Sequence, residues 1–338
     1  MAGDPGFLAT QYARQHGLNT FEISFATRNP LKYLAAKKSL DRVVKDQRIE
    51  VINAHRPEDH LLSSWVAKKR RIPLIRTVGD VRSPKKNIFN RYLHETLTHH
   101  LIFSSDANLT RYLSLWTQLN TRSSVIHGGV NLEKFSPRAK NKELLKKLNL
   151  NENKILLGQI GRLSVVKDFP TTIKALALVL ENRQDVHLII SGMEGKVKVS
   201  RLKELAASYN IDQHITFLDR YDPVDELISI LDIGIIASKG SEAICRIAME
   251  YMAMGIPVVA TAVNVLPEII TDQRNGLIIP VEDPASMAEA LSELINTSDF
   301  RNTVRQNNIE DSHNRVNILT AAEQTIGLYQ QMIESSGH

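Results

Sequence analysis

The chain has 338 residues, of which 43% are hydrophobic and 23% charged, and its formal net charge is +5. This length exceeds what a single hydrophobic core usually supports, so two domains are expected. The sequence has no apolar run near the length of about eighteen residues that spans a membrane, and its N-terminus lacks the pattern of a secretory signal. Cys245 is the only cysteine, which excludes an internal disulfide and fits a reducing, cytoplasmic setting.

Charge is unevenly distributed between the two halves. Residues 1–136 contain 21 Lys and Arg against 11 Asp and Glu, whereas the remainder contains 21 against 26. The excess in the first half includes the clusters Lys37-Lys38, Lys68-Lys69-Arg70-Arg71 and Lys85-Lys86. A solvated face explains any one cluster equally well, but three together favour an anionic surface, either lipid headgroups or a phosphorylated acceptor. Because the clusters lack interleaved aromatic residues for base stacking, no nucleic acid partner is expected.

Short apolar runs alternate with amphipathic stretches, which is typical of parallel sheets with crossover helices. In the first half the predicted strands are Phe21–Phe25, Glu50–Asn53, Pro73–Arg76, Leu101–Ser104 and Ser124–His127. In the second half they are Ile155–Gln159, Val186–Ser191, Ile215–Leu218, Ile233–Ala237, Pro257–Ala260 and Gly276–Ile279. The helices predicted there are Thr171–Glu181, Arg201–Tyr209, Val224–Leu231 and Met287–Ile295. We therefore expect an α/β protein with two Rossmann-like, doubly wound domains facing a cleft.

The alternation is interrupted over residues 131–153, where Pro137 and a lysine-rich polar stretch intervene. We expect a first domain over residues 1–136 and a second domain over residues 137–316. A C-terminal helix over 317–338 is expected to cross back to the first domain. Ligands of open α/β sheets bind beyond the carboxyl ends of the strands, so chemistry-bearing residues are sought in the loops that follow the strands.

One such loop follows the strand Ile155–Gln159. Gly161 permits a tight turn, and Arg162 and Lys167 bring two cations to the strand end, where phosphate oxygens would be good partners. A solvated surface loop could carry the same two residues. No Gly-x-Gly-x-x-Gly pattern follows a strand, so a dinucleotide oxidoreductase has little support.

The segment Ser241 to Glu250 is the most informative, because it places Glu242 and Glu250 eight residues apart around a predicted helix start near Arg246. A helix N-terminus is a ready anion site, so a bound anion would have one carboxylate on either side. That layout fits a nucleotide diphosphate-sugar, which has hydroxyls at both ends and charge in the middle. Glutamates also complement the helix dipole, so the spacing alone leaves a structural role open.

Taken in order, these segments resemble the retaining glycosyltransferase family four, which has the two-domain glycosyltransferase B fold. The matching segments are Gly161-Arg162-Leu163 with Lys167, Glu242 to Glu250, Glu250 to Thr261, Pro267-Glu268, Asn275-Gly276-Leu277 and the hinge-like Ile126 to Pro137. The resemblance implies transfer of a sugar from a nucleotide diphosphate-sugar with retained configuration. It also implies no cofactor and no required metal, in keeping with the lack of Cys and His clusters.

The resemblance assigns roles residue by residue. Arg162 and Lys167 would bind the diphosphate and stabilise the leaving group, with Glu242 on the sugar hydroxyls. Glu250 would bind the ribose, and the peptide around Arg220 would meet the base. The backbone amides of Ile244, Cys245 and Arg246 would face phosphate or sugar.

The second half departs from the family pattern at two places. Ile244-Cys245 replaces the usual Phe-Gly, and Asn264-Val265 replaces paired glycines. Arg246 places a cation in the first helical turn, and we interpret it as a third anion contact, with an exposed or salt-bridged Arg as the alternative.

The first domain matches less well. The acceptor-side candidates are Gly3, His55, Asp80 and Arg82, each of which could equally be structural. Gly79 stands where many members carry an active-site histidine. Gly3 opens a glycine-rich turn before the first helix, but the central strand that should precede it is missing. Since that loss would leave backbone groups without partners, we expect a longer natural N-terminus or another segment in its place.

Three functions stay open from sequence alone. The leading one is a retaining glycosyltransferase that acts on a cell-envelope lipid or polysaccharide precursor, at the inner face of the plasma membrane. The altered motif favours, as an alternative, a weakly active or inactive sugar-nucleotide-binding relative. A sugar-nucleotide epimerase or phosphorylase of the same fold is the third; an epimerase would need no acceptor.

Overall fold

The computed structural model describes residues 1–240 and 242–336. Ser241, the first residue of the predicted acidic segment, lies outside the described residues. The chain forms two compact units, one of Met1–Ile126 together with the segment that starts at Glu323, and one of His127–Ala322. Each unit is built on a parallel sheet, so the α/β prediction is confirmed.

The first unit contains six strands and five complete helices. Strands β1 to β6 are Ala2–Gly3, Phe21–Glu22, Ile52–Ala54, Leu74–Val78, His100–Phe103 and Ser123–Val125. Helices α1 to α5 are Leu8–Gln15, Pro30–Asp46, Pro57–Arg70, Ile88–Glu95 and Asp106–Leu113. Strands β3 to β6 form a four-stranded parallel sheet in sequence order, and β1 and β2 form a separate parallel pair.

The first residues of the chain form a short strand that pairs with β2. Gly3 belongs to the two-residue strand β1, in register with Glu22 of β2. The backbone groups there are satisfied, because Ile23 N–H donates to Gly3 O at 2.8 Å and Phe21 N–H donates to Met1 O at 2.9 Å. The short pairing with β2 therefore supplies hydrogen-bond partners for Met1 and Gly3, and it is separate from the four-stranded sheet.

The second unit holds the remaining elements. Strands β7 to β12 are Ile155–Ile160, Val186–Ser191, Ile215–Leu218, Ile233–Ile236, Val258–Thr261 and Gly276–Ile279. Helices α6 to α14 are Lys142–Lys147, Phe169–Leu180, Val199–Ser208, Val224–Ser229, Arg246–Ala253, Leu266–Ile269, Pro284–Asn296, Ser298–Arg315 and Ile318–Ser335, the last of which continues into the first unit. Helix α6 lies inside the stretch where sequence predicted only an interruption.

The strand order of the second sheet fixes where a ligand can bind. The order is β12-β11-β10-β7-β8-β9, with all neighbours parallel, so successive connections reverse direction between β7 and β10. In open α/β sheets this switch point opens a crevice at the carboxyl ends of the two strands. The Gly161 loop follows β7, and the segment with Glu242 follows β10.

Two glycines at the switch point bring α10 close to the sheet. Gly158 of β7 and Gly234 of β10 are in register. A Cβ on Gly234 would lie 2.5 Å from Tyr251 Cδ2, and one on Gly158 would lie 2.2 Å from Leu231 Cδ1. The fully buried Tyr251 therefore packs directly on β10, and its hydroxyl donates to Gly158 O at 3.0 Å. This packing fixes α10, and with it Arg246 and Glu250, against the crevice.

Candidate functional site

The loop after β7 is held by close backbone contacts. Gly161 N–H donates to Ser191 O at 2.9 Å, and Leu163 N–H donates to Met193 O at 2.9 Å. A Cβ on Gly192 would lie 1.8 Å from Gly161 O, so the approach of these loops requires glycine there. Within the described ranges, the exposed Arg162 side chain has no hydrogen bond or ion pair. The loop is rigid at its base and presents a solvated guanidinium.

Lys167 and Glu242 meet across the switch point. Lys167 Nζ lies 2.5 Å from Glu242 Oε1, and the same oxygen accepts from Ser238 Oγ at 2.5 Å. Glu242 is 6% exposed, and the Lys167 side chain keeps 23% of its surface accessible. A backbone hydrogen bond of 2.8 Å from Lys239 N–H to Val166 O joins the same two loops. The structure thus assembles a partly accessible ion pair from residues 75 positions apart.

Cys245 links this loop to the helix. It is the N-cap of α10, with a φ of +46° in the left-handed region. Burial raises the pKa of the Cys245 thiol to about 12, and the charge of Glu242 acts in the same direction. The left-handed backbone explains why a glycine suits this position in the family, since L-residues other than Asn and Asp rarely adopt it. Ile244 and Arg246, on either side, are exposed.

Glu250 lies one turn into α10 and differs from Glu242 in its surroundings. It is 7% exposed, and its carboxylate accepts no hydrogen bond from any residue in the described parts of the chain. Burial raises the pKa of Glu250, while the charges of Arg246 and Lys134 act in the opposite direction. The Glu250 oxygens keep some contact with solvent, so they are available to accept hydrogen bonds from the hydroxyls of a ligand.

Arg220 follows β9 and is open to solvent. Its Nη2 lies 4.0 Å from Asp222 Oδ2, and both side chains are more than two-thirds exposed. Such a pair contributes little to stability, so Arg220 is available for a ligand but is not positioned by its neighbours.

The four predicted acceptor-side residues do not form one site. Gly3 and His55 line a largely apolar cavity of about 580 Å³ in the first unit. Asp80 and Arg82 line a different cavity, of about 330 Å³, together with the buried His60, Arg76 and His94. Gly3 is needed for space, because a Cβ there would lie 2.3 Å from Thr10 Oγ1.

The basic clusters of the first unit are partly neutralised. Asp41 accepts from Lys69 Nζ at 2.7 Å and from Arg70 Nε at 2.6 Å. Lys68 Nζ instead bonds to the Tyr92 hydroxyl at 3.1 Å. Among the described helices, none combines the length and the apolar character needed to cross a membrane.

Sequence comparison places the chain beside known transferases. Residues 140–311 match the family model of the group 1 glycosyl transferases. A D-inositol 3-phosphate glycosyltransferase of Corynebacterium urealyticum is 27% identical over 235 residues, which cover 66% of this chain and 54% of that protein. The chain spans about half to six tenths of the length of the first curated relatives it matches.

Solved structures agree in fold. A glycosyltransferase from Rickettsia africae superposes with a TM-score of 0.88 at 18% identity, over 97% of this chain and 88% of the other. Alr3699/HepE from Anabaena, determined in complex with UDP, gives a TM-score of 0.84 at 19% identity, over 95% and 88% of the two chains. The predicted glycosyltransferase B fold, with two Rossmann-like domains, is thereby confirmed.

Proposed function

The chain belongs to the group 1 glycosyl transferases, and we propose that it moves a sugar from a nucleoside diphosphate-sugar to an anionic acceptor with retained anomeric configuration. The observation that carries this proposal is the Lys167–Glu242 ion pair at the β7/β10 switch point, beside the unpaired Arg162 and the buried Glu250. These groups supply the cations and hydroxyl acceptors that such a donor needs. The Anabaena relative binds UDP, which supports a nucleotide diphosphate as the ligand class.

The diphosphate is assigned to the loop after β7 and to the start of α10. Arg162 can bind two oxygens with its planar fork, whereas Lys167 acts as a point charge. The backbone N–H groups of Ile244, Cys245 and Arg246 lie at the helix N-terminus, where the helix dipole favours an anion. When the bond from the sugar to the diphosphate breaks, the leaving oxygen gains charge, and preorganised cations stabilise it.

The two ends of the donor are assigned to the two carboxylates. Glu242 accepts hydroxyls of the transferred sugar, so the donor shares or displaces its bond to Lys167. Glu250 accepts the ribose hydroxyls, which give its buried charge the donors it lacks in the protein. Arg220 contacts the base from the loop after β9.

The acceptor is a cell-envelope lipid or polysaccharide precursor, and the excess charge of residues 1–136 holds the protein at the anionic inner face of the plasma membrane. The D-inositol 3-phosphate glycosyltransferase relative uses an acceptor that carries phosphate, which supports an anionic acceptor. The reaction needs no metal or other cofactor, since Arg162 and Lys167 provide the positive charge.

The proposal is tested by thermal shift against UDP, GDP and ADP, followed by transfer assays with sugars of the nucleotide that stabilises the chain. NMR of the product gives its anomeric configuration, and added EDTA tests the need for a metal. Arg162→Ala should weaken nucleotide binding about tenfold or more, because it removes a charge-assisted contact. Arg201→Ala removes an exposed arginine of the same unit, paired only with Glu204, and should leave binding unchanged.

One observation favours a second function, that of a binding protein without turnover. Cys245 occupies a left-handed position with a strained backbone, and Gly79 leaves the end of β4 without a side chain for catalysis. Tight nucleotide binding with no transfer or hydrolysis for any donor would favour this function over the first.

A further inference from the structure

The 330 Å³ cavity of the first unit contains an arginine without an ion pair in the described chain; the carboxylates of Asp80, Asp59 and Glu58 favour its charge without pairing with it. Arg76, at the third position of β4, lines this cavity and is 2% exposed. Its Nη1 donates to Ala54 O at 3.1 Å and to Thr77 O at 2.6 Å. Within residues 1–240 and 242–336, its Nε and Nη2 bond to no acceptor, and no carboxylate oxygen lies within 4.0 Å of the guanidinium.

An arginine in this state is expected to have a ligand. Charged side chains are almost never fully buried unless they are paired, because desolvation of a lone charge is strongly unfavourable. Two carbonyl oxygens satisfy one nitrogen only, so the Nε–Nη2 edge of the fork stays available. That edge carries parallel N–H donors, which match two oxygens of a phosphate or carboxylate.

The two histidines that line the cavity, His60 and His94, add no positive charge to it. Thr98 Oγ1 donates to Leu93 O, so His60 Nε2 donates to Thr98 Oγ1 at 2.7 Å. His94 Nδ1 donates to Asn90 O at 2.8 Å. Burial lowers the pKa of His60 well below its ordinary value and that of His94 to about 4, so both rings are neutral at pH 7.

Two more charged residues line the cavity, the cation Arg82 and the carboxylate of Asp80. Arg82 lines the cavity with an exposed guanidinium, and Asp80 Oδ1 accepts the Arg82 N–H at 2.8 Å. Tyr112 completes the wall, and burial raises the pKa of its phenol to about 12, so it stays a hydrogen-bond donor. The volume lies at the lower end of the range of roughly 300–1,000 Å³ for small-molecule sites.

We propose that this cavity binds a phosphate monoester of the acceptor, held by Arg76 through Nε and Nη2, with Arg82 as the second cation. The proposal rests on the proposed transfer function and names the chemical class of its acceptor. Phosphate is favoured over a carboxylate because it offers oxygens to both arginines and to the Tyr112 hydroxyl at once. The predicted residues Asp80 and Arg82 belong to this site, whereas Gly3 and His55 do not.

The test is calorimetric titration of the full chain with inorganic phosphate and with a simple sugar phosphate, in the presence of a saturating nucleoside diphosphate. The nucleotide fills the site of the second unit, so any remaining phosphate binding reports on another site. Arg76→Met should weaken this binding about ten- to a hundredfold, and Arg76→Lys should restore part of it, since Lys keeps the charge without the fork. Arg91→Ala, an exposed arginine of α4 outside the cavity, is the matched control and should bind as wild type.

A second variant tests the proposal if Arg76→Met does not fold. Arg82→Ala removes an exposed side chain and should weaken phosphate binding severalfold with an unchanged thermal transition. Phosphate affinity unaffected by both substitutions, or tighter binding of a sugar carboxylate such as glucuronate, would overturn the assignment. Arg162→Ala separates the two proposals: it should weaken nucleotide binding about tenfold or more while phosphate binding persists. Phosphate binding without any transfer would refute the proposed activity but leave this site standing.

Discussion

The loop that ends at Glu242 and the helix that carries Glu250 place similar carboxylates in opposite situations. Glu242 is bonded to Lys167 and to Ser238, each at 2.5 Å. Glu250 is equally buried, yet its carboxylate accepts no hydrogen bond within the described structure. Glu242 therefore helps to hold the fold together, whereas Glu250 makes no such contribution through hydrogen bonds.

This difference shows that one carboxylate of a site can be held in place by protein hydrogen bonds while another is left without a protein partner. The Glu242 network joins two loops without a ligand, so the proposed diphosphate would meet groups already in place. Glu250 instead has acceptor capacity that no donor of the described chain uses, and the proposed ribose would use it. Substitutions at the two positions should separate stability from binding.

Glu242→Ala should have the largest effect, because it lowers both the stability of the fold and the transfer activity. Removal of the carboxylate leaves Lys167 and Ser238 without their partner, and we expect a loss of about 3 kcal/mol in the free energy of unfolding, the low end for a buried pair. The low end applies since Lys167 keeps partial solvent access. Transfer activity should fall by about a hundredfold or more. Urea denaturation and initial-rate measurements on the same preparation provide both values.

Glu282→Ala is the matched control for that variant. Glu282 also pairs with a lysine, Lys239, at 2.7 Å, but its side chain is 59% exposed. The substitution should cost less than about 1 kcal/mol and leave turnover intact. A Glu242→Ala protein as stable as this control would show that the short contact to Lys167 does not stabilise the fold.

Glu250→Gln should have a smaller effect of a different kind. Nucleotide affinity should fall about tenfold, because a charge-assisted hydrogen bond to the ribose becomes a neutral one. The free energy of unfolding should stay the same or rise, since a buried charge without a partner is removed. Isothermal titration with the preferred nucleotide, paired with denaturation, tests both expectations. Glu289→Gln, on an exposed position of α12, is the control.

The same variant tests the pH dependence of stability. Burial raises the pKa of Glu250 above its ordinary 4.5, so the folded state holds this proton more tightly than the unfolded state. The contribution of Glu250 is then most favourable below pH 4.5 and is lost as the pH rises through its folded pKa. Relative to Glu250→Gln, the wild type should become less stable as the pH rises from that range to neutrality. A constant difference across this range would mean that the Glu250 pKa is not raised.

The strands around these carboxylates could be read from sequence because buried parallel strands are continuous apolar runs. Val186–Ser191, Ile215–Leu218 and Gly276–Ile279 were predicted to the residue. Helix α13 was not predicted, because its buried positions include the polar Asn308, Asp311 and Ser312 in place of an apolar stripe. Asp311 is held there by Arg274 at 2.8 Å, a contact between distant segments that no local pattern indicates.

Sequence alone could predict the candidate site only at residues whose position relative to a strand end is evident. The positions of Lys167 and Glu242 follow strand ends, so their meeting at one sheet edge could be expected. The burial of Arg76 could not be, since a single arginine in a short strand gives no sign of which helices cover it. Its burial depends on α3, α4 and α5, whose residues line the same cavity.

The smallest expected effect concerns Cys245, where the two regions join. Its φ of +46° costs an L-residue roughly 1–2 kcal/mol relative to glycine, which has no Cβ to clash. Cys245→Ala removes the buried thiol and keeps the backbone strain, whereas Cys245→Gly removes the same thiol and relieves the strain. The Gly variant should therefore be more stable than the Ala variant by about 1 kcal/mol, after the larger entropy of unfolded glycine is subtracted. Thermal unfolding of both variants measures this difference, and equal stabilities would mean that the left-handed turn is not strained. Because the turn sets the direction of the α10 N-terminus, a Gly variant with unchanged nucleotide affinity would also show that Lys167 and Glu242 hold the loop without help from Cys245.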